Sequence, residues 1–322
     1  MENNERDLVL RIVSLRDGPE KVPKEKIMDK ELIEQRIFHL AHCRGIGPIS
    51  QVRMVSALLD DSRLTVFQLA KLANLPPKNK TVFLESYSFI ELERLKKKYE
   101  FQGIQWMTIL DKNYPEYLKQ IYNPPAILFY RGNIQLLGKN LIAIVGSRQN
   151  TSYGPLILDR LLPELIKNGM VTVSGLAKGI DAAVHQKTIA LGGNTIAIIG
   201  TGLDYSYPYE HKRLQKEIGD HHLVLSEYPL GVKPLPYHFP MRNRIIAGLS
   251  LGTLVVEAKD HSGSLITANL ALQEGREVFA VPGAITSLYS EGTNQLIMQG
   301  AKCVLSATHI LEEFIFDKNY VK

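Results

Sequence analysis

HFPMRNRIIAGLSLGTLVVEAKDHSGSLITANLALQEG, residues 238–275, reads as a helix, a buried strand, a loop of small residues and a second helix. Pro240 opens the first helix, because proline in a first turn gives up no intrahelical hydrogen bond. The run TLVV at 253–256 is the strand, and Gly275 stops the second helix. Polar residues fall at both helix starts. Arg242, Asn243 and Arg244 occupy the first turn of one, where the helix dipole favours negative charge by about 0.3–1 kcal/mol per group. An anionic partner would remove that conflict. Ser262, Gly263 and Ser264 open the other helix: serine caps it, and glycine lets a ligand approach free backbone N–H groups. That is a phosphate seat without a metal or a Walker lysine. A plain serine cap and a solvated Arg-Asn-Arg turn are the alternatives, and neither feature decides alone.

The same alternation extends along the chain from Leu141. LIAIV at 141–145, VTV at 171–173, TIAII at 195–199, LVL at 223–225, TLVV at 253–256 and EVFAV at 277–281 are short β-branched runs, with segments of helical period between most of them. That pattern predicts an α/β fold, a parallel sheet with helices on both faces. In such sheets ligands bind outside the carboxyl ends of the strands. After the first run comes Gly146-Ser147-Arg148, after the second Ser174-Gly175-Leu176-Ala177-Lys178-Gly179, and after the third Gly200-Thr201-Gly202. Ser226-Glu227-Tyr228-Pro229 and the Ser262 loop follow later strands. So many small residues on one edge predict a long, shallow, backbone-lined anion site.

Other chemistries are tested against the same loops. Gly200-Thr201-Gly202 continues into Leu203, Asp204 and Tyr205, so the third glycine of a dinucleotide fingerprint is missing, and no Walker motif occurs. Asp181, Asp204, Glu227, Glu257, His185 and His261 are the acid–base candidates. Asp181 falls in the first turn of a helix with His185 one turn later, which predicts a structural pair rather than a catalytic one. Nothing marks a nucleophile, a metal cluster or a cofactor site. Lys187, Lys212 and Lys233 either track a phosphate backbone or face solvent. Tyr205, Tyr207, Tyr209, Tyr228, Tyr237 and Phe239 cluster in the loops beside the expected groove, where base stacking and burial under the loops are equal alternatives.

Before the sheet, residues 1–30 are a charged extension in which 8–15 could form a short strand or helix. Residues 31–102 carry apolar positions at helical spacing, broken by Pro76-Pro77, and predict a small all-α domain. Within it, Cys43-Arg44-Gly45-Ile46-Gly47-Pro48 joins two helices, either as a tight connection or as a helix-hairpin-helix turn offering amides to a phosphate. Lys96-Lys97-Lys98 reads as a solvated helix face. The remaining domain spans 103–322 and begins with strands IQWMTIL and AILFY, whose Trp106 is expected to pack rather than to stack on bases. With 38 Lys+Arg against 33 Asp+Glu, the net charge of +5 permits a polyanionic partner without requiring one. Cys43 and Cys303 have no spacing that suggests zinc or a disulfide. There is no signal-type start and no apolar run of membrane length, so a cytoplasmic protein is expected.

Eight ordered runs resemble the DNA processing protein A family, also called DprA or Smf. They are VGSR at 145–148, SGLAKGID at 174–181, GTGLDYSYP at 200–208, SEYPLG at 226–231, FPMRNRIIAGLS at 239–250, VVEAKDHSGSLITA at 255–268, GREVFAVPG at 275–283 and GTNQLIMQGA at 292–301. The GIGP turn is similar to the family's sterile-alpha-motif-like domain. The resemblance implies an extended Rossmann-like, doubly wound domain that binds single-stranded DNA, protects incoming strands during natural transformation and loads the RecA recombinase. It also implies a homodimer and no chemical reaction. By motif, Arg148, Lys178, Arg242, Asn243, Arg244 and Ser262-Gly263-Ser264 would hold the phosphate backbone, with Gly146, Ser147, Ser174, Gly175 and Gly179 beside them. Gly202, Lys233, Phe239 and Thr267 would make secondary contacts.

Two departures stand out. His211 replaces the family's usual asparagine, and the chain reaches Lys322 soon after a helix near Ile310, leaving no room for the winged helix that many members append. The competing class is a nucleotide hydrolase or phosphoribohydrolase acting on a mononucleotide through Asp181, Glu227 or Glu257. The PGGxGT pattern of such phosphoribohydrolases is absent. A third reading makes the helical part a protein-docking module.

Overall fold

Apolar residues three and four apart produce five helices in the first part of the chain: α1 Lys24–Ala41, α2 Pro48–Asp60, α3 Val66–Leu72, α4 Pro77–Phe89 and α5 Leu92–Phe101. The structure, a computed structural model, describes residues 24–315. The charged extension before Lys24, with its element at 8–15, lies outside the described residues. Local chemistry fixes the helix ends. Pro48 opens α2 behind Gly47, and Thr65 caps α3 in a reciprocal box with Gln68. In the turn between α1 and α2, Gly45 has φ +81°, and a Cβ there would stand 2.6 Å from the Asn79 carbonyl oxygen. Arg44 N–H donates to Ser86 Oγ at 2.9 Å. These contacts explain the glycine as a tight helix connection.

Strand β1 Gln105–Thr108, the short α6 Glu116–Lys119 and β2 Ile127–Gly132 follow. The first compact unit ends at Phe129 and takes in Glu227–Pro229, so β1 and the first half of β2 go with the helices. The reason is aromatic: the Trp106 ring lies 4.4 Å from Phe38 and 5.7 Å from Tyr99, and Phe129 stacks 5.2 Å from Tyr99. Trp106 is packing, as expected.

The second unit, Tyr130–Ser226 with Leu230–Lys322, is built on the β-branched runs. Its elements are β3 Asn140–Val145, α7 Tyr153–Lys167, β4 Met170–Ser174, α8 Ile180–Ala190, β5 Thr195–Ile199, α9 Lys212–His221, β6 Leu223–Ser226 and α10 His238–Leu249. Then come β7 Gly252–Val255, α11 Gly263–Gln273, β8 Glu277–Ala280, α12 Glu291–Met298, β9 Lys302–Cys303 and α13 Thr308–Ile315. The strand order within this unit is β6-β5-β4-β3-β7-β8-β9, and every pairing in it is parallel. From β3 the chain winds outward to β6, then returns across the sheet to β7.

Alternation within β3 explains the two helical layers. Ile142 and Ile144 point to one face, where they join Leu158, Leu161, Leu162 and Leu165 of α7 and Ile180 and Val184 of α8. On the other face α10 packs on β3 and β5, and α11 on β7 and β8. Strands buried on both sides carry β-branched or small apolar residues at nearly every position, which is why they read as unbroken runs.

The bounds move slightly from those expected. Helix α10 begins at His238, so Pro240 is its third residue rather than its first. Its missing N–H still costs nothing, because the first-turn donors have no partner inside a helix. The strand runs Gly252–Val255. Gly275, φ +66°, does end α11: its N–H reaches Leu272 O at 3.1 Å and Arg276 N–H reaches Ala271 O at 2.8 Å, a Schellman closure. Among the described residues no helix is long and apolar enough to cross a membrane.

Candidate nucleic-acid interface

Strands β3 and β7 are neighbours, but the chain leaves their carboxyl ends for opposite sides of the sheet. A crevice opens at such a switch point. Here it encloses about 560 Å³. Gly146, Ser147 and Arg148 line it from the β3 loop; Lys259, Asp260, Ser262, Gly263 and Ser264 from the β7 loop; Phe239, Arg242 and Asn243 from α10; and Thr267 from α11.

Backbone bonds hold the walls together. Ser147 N–H donates to Glu257 O at 2.8 Å, and Ser147 O accepts from Ile180 N–H at 3.1 Å. The second contact presses the β4 loop against the β3 loop. At Gly179, φ +77°, a Cβ would stand 2.2 Å from Ser147 O, so only glycine permits the approach. Glu257, 2% exposed, accepts from Thr151 Oγ1 at 2.6 Å and Thr151 N–H at 3.1 Å. This acid–base candidate is spent on fixing the loop that enters α7.

Arg242 crosses the floor. It is 4% exposed, its Nη1 donates to the Gly175 and Ile198 carbonyls, and its Nε donates to Asn243 Oδ1 at 3.1 Å. A Cβ on Gly175 would be 2.6 Å from both the Arg242 guanidinium and Asp181 Oδ2, which explains the glycine. Burial raises the Asp181 carboxyl above its ordinary range, and the Arg242 charge beside it pulls it back. The expected Asp181–His185 pair does not form. His185 Nδ1 instead bonds Thr195 Oγ1 at 2.7 Å, while Asp181 faces Ala177 N–H at 3.4 Å.

Arg244 corrects the reading of its run. Residues two apart on a helix point about 200° apart, so Arg242 and Arg244 cannot share one wall. Arg244 is buried, donates Nη1 to Met241 O at 3.2 Å, and is absent from the cavity lining. The Ser262 cap is corrected too. Ser262 holds the N-cap position of α11, but its hydroxyl bonds Ser264 Oγ at 2.7 Å and caps no amide. The start of α11 thus faces the cavity without a side-chain cap, which suits an anion better than the expected cap does.

The remaining candidates lie outside the lining. Ser174 is buried and donates to Ile144 O at 2.7 Å. Lys178 is exposed and pairs with Glu210 at 2.9 Å. Gly202 N–H donates to Val232 O at 2.9 Å, and Lys233 is exposed. Asp204 accepts from Gly231 N–H at 3.0 Å, His261 is exposed beside Asp260, and Glu227 falls in the other compact unit. The variant His211 does have a polar contact: its Nδ1 lies 2.9 Å from Leu176 O, in the loop that carries Lys178. Sequence reasoning missed Gln149, Lys259 and Asp260. The signal for Lys259 is its place in the same strand-end loop as Ser262. Arg148 is exposed at the rim, its guanidinium 5.9 Å from the Phe239 ring centre. Among the described residues no group of three or more His, Cys, Asp or Glu is placed to hold a metal ion.

Comparison with known proteins gives a consistent picture. The family described as DNA recombination-mediator protein A matches residues 105–315. DNA processing protein DprA of Streptococcus pneumoniae is 51% identical over 239 residues, which are 74% of this chain and 84% of that protein. DNA processing protein DprA of Bacillus subtilis is 49% identical over 69% of this chain and 75% of its own length. Among solved structures, the S. pneumoniae protein superposes with TM-score 0.79 at 45% identity, over 87% of this chain and 97% of the other. A structure of DNA processing protein A from Helicobacter pylori, described for its unique single-stranded DNA binding mode, superposes with TM-score 0.59 at 32% identity, over 66% of this chain and 97% of the other.

Proposed function

The chain belongs to the DNA recombination-mediator protein A family, and from that premise we propose that it binds single-stranded DNA by seating the phosphate backbone in the crevice between the β3 and β7 loops. The observation that carries this reading is the pairing of an exposed Arg148 at the rim with the uncapped start of α11 on the opposite wall. Backbone amides and a guanidinium both recognise phosphate and ignore base identity, so binding is sequence-tolerant. Arg242 acts beneath them as a brace that holds the β4 loop in place. Lys178 meets the strand outside the crevice after leaving Glu210.

The family's description is of a recombination mediator, and the acids of this site suit that role. Glu257 and Asp204 hold loops, and Asp181 lies under Arg242. We further propose that the protein works in the cytoplasm as a homodimer, protects strands taken up during natural transformation and passes them to RecA. The relatives' names support the general role, and the resemblance of the motifs supports the finer one.

The test is fluorescence anisotropy of a labelled oligothymidylate across salt concentrations, with nucleoside monophosphates as competitors. Arg148→Ala should weaken binding about tenfold, at the low end for a charged hydrogen bond. It should also make the slope of log K against log salt shallower by about 0.7, one phosphate's share for a single strand. Arg148 is exposed, so the fold should be unaffected. A protein that ignores the oligonucleotide and retains a mononucleotide would overturn this reading in favour of a nucleotide hydrolase or phosphoribohydrolase.

A further inference from the structure

Tyr207 stands beside the crevice on an aromatic ledge that phosphate contacts do not explain. Its ring packs on Phe239 with centroids 5.1 Å apart and planes 32° from parallel. Phe239 in turn carries the Arg148 guanidinium. The ledge leads outward, since Phe239 lines the cavity and Tyr207 lies beyond it, 50% exposed.

The backing of this ledge is fixed. His238 Nδ1 lies 3.0 Å from Gly200 O, pinning the start of α10. A Cβ on Gly200 would come 3.3 Å from the Phe239 ring, so the glycine gives that ring its place. An exposed aromatic on its own needs no explanation. One braced by a second ring, next to a phosphate site, is a rigid flat surface that loses little conformational entropy when a flat ligand covers it.

We infer that Tyr207 is the stacking step for a base adjoining the phosphates held in the crevice, and that it gives the protein a preference for unpaired strands. The inference rests on the phosphate reading of the crevice. A spacing of 5.1 Å leaves no room for a base between the two rings, so the base takes the open face of Tyr207. All bases present a π-face, which keeps the contact independent of sequence. A duplex offers that face only after a base leaves its stack.

The experiment compares an oligothymidylate with an abasic oligonucleotide of equal length, for the full chain and for Tyr207→Leu and Tyr207→Phe. The unmodified protein should favour the thymidylate by roughly five- to a hundredfold, the range for one base–aromatic stack. Tyr207→Leu should remove most of that preference, while Tyr207→Phe keeps it. Quenching of 2-aminopurine at one position of the strand should fall with Leu and persist with Phe. If Tyr207→Leu weakens both ligands equally, or leaves the preference intact, the stacking role is overturned. If the unmodified protein binds neither ligand, the phosphate reading fails first and takes this inference with it.

Discussion

Arg242→Ala is expected to destabilise the second unit by about 3–5 kcal/mol, the range for removing one partner from a buried charged network. The side chain is 4% exposed and its donors satisfy the Gly175 and Ile198 carbonyls. Removing it takes a charged donor from both, and it leaves the Asp181 carboxylate without the cation that offsets its burial. Urea unfolding should show the loss as a lower midpoint. Lysine should rescue only in part, since one ammonium cannot reproduce the planar fork. Asp181→Asn added to Arg242→Ala should recover part of the loss, because the uncompensated charge is then gone.

The pH dependence carries a sign that tests the same network. Burial raises the folded value of Asp181 above 3.8, so the folded state binds more protons than the unfolded state in that window, and stability falls as pH rises through it. Arg242 is what limits the rise. Without it the window widens upward, and the deficit of Arg242→Ala relative to the unmodified protein should shrink in acid. A urea midpoint unchanged by Arg242→Ala, or a deficit that grows in acid, would mean that the guanidinium does not brace this floor.

These residues also show which parts of the site were legible in the sequence. Strands were, because burial on both faces leaves an unbroken β-branched run with nothing to confuse it. The carboxyl-end loops followed from parallel topology, and the cavity opens between two of them. What the sequence could not show was rotation and partnership. Arg242 and Arg244 look alike in the string RNR, yet about 200° of helical turn separates a brace in the cavity lining from a buried residue outside it. Ser262 sits where a cap belongs, but a second hydroxyl two residues on takes its bond. Asp181 and His185 have the spacing of a pair, while Arg242 and Thr195, distant in sequence, hold them instead. Strand β9, two residues long, carries too little pattern to be seen. Trp106 drew β1 toward the helices through rings at positions 38 and 99, a link that no local window contains.

His185 sets the other large expectation, a loss of stability in acid. It is fully buried between α8 and the sheet, and Thr195 Oγ1 lies 2.7 Å from its Nδ1. Thr172 Oγ1 donates to the same hydroxyl at 2.8 Å and lies 3.1 Å from Thr188 Oγ1. Burial, aided by the charges of His211, His222 and Arg242, pushes the imidazole down to about 3 from an ordinary 6.5. The folded state therefore binds fewer protons than the unfolded state between those values. Stability is full above pH 6.5 and drains away as pH falls toward 3, reaching roughly 4 kcal/mol for this one group. His185→Asn, which keeps a donor near Nδ1, should be less stable at pH 7 but lose less between pH 6.5 and 4. His42, pushed down to about 4 mainly by burial, gives the first unit an acid sensitivity of its own. The two are separable by probe. Trp106, the sole tryptophan, reports the first unit by fluorescence, and hydrogen exchange at β4 and β5 amides reports the second. His185→Asn should flatten the acid limb seen by exchange and leave the tryptophan transition where it was. An unchanged exchange limb would place the acid sensitivity of the sheet in some other group.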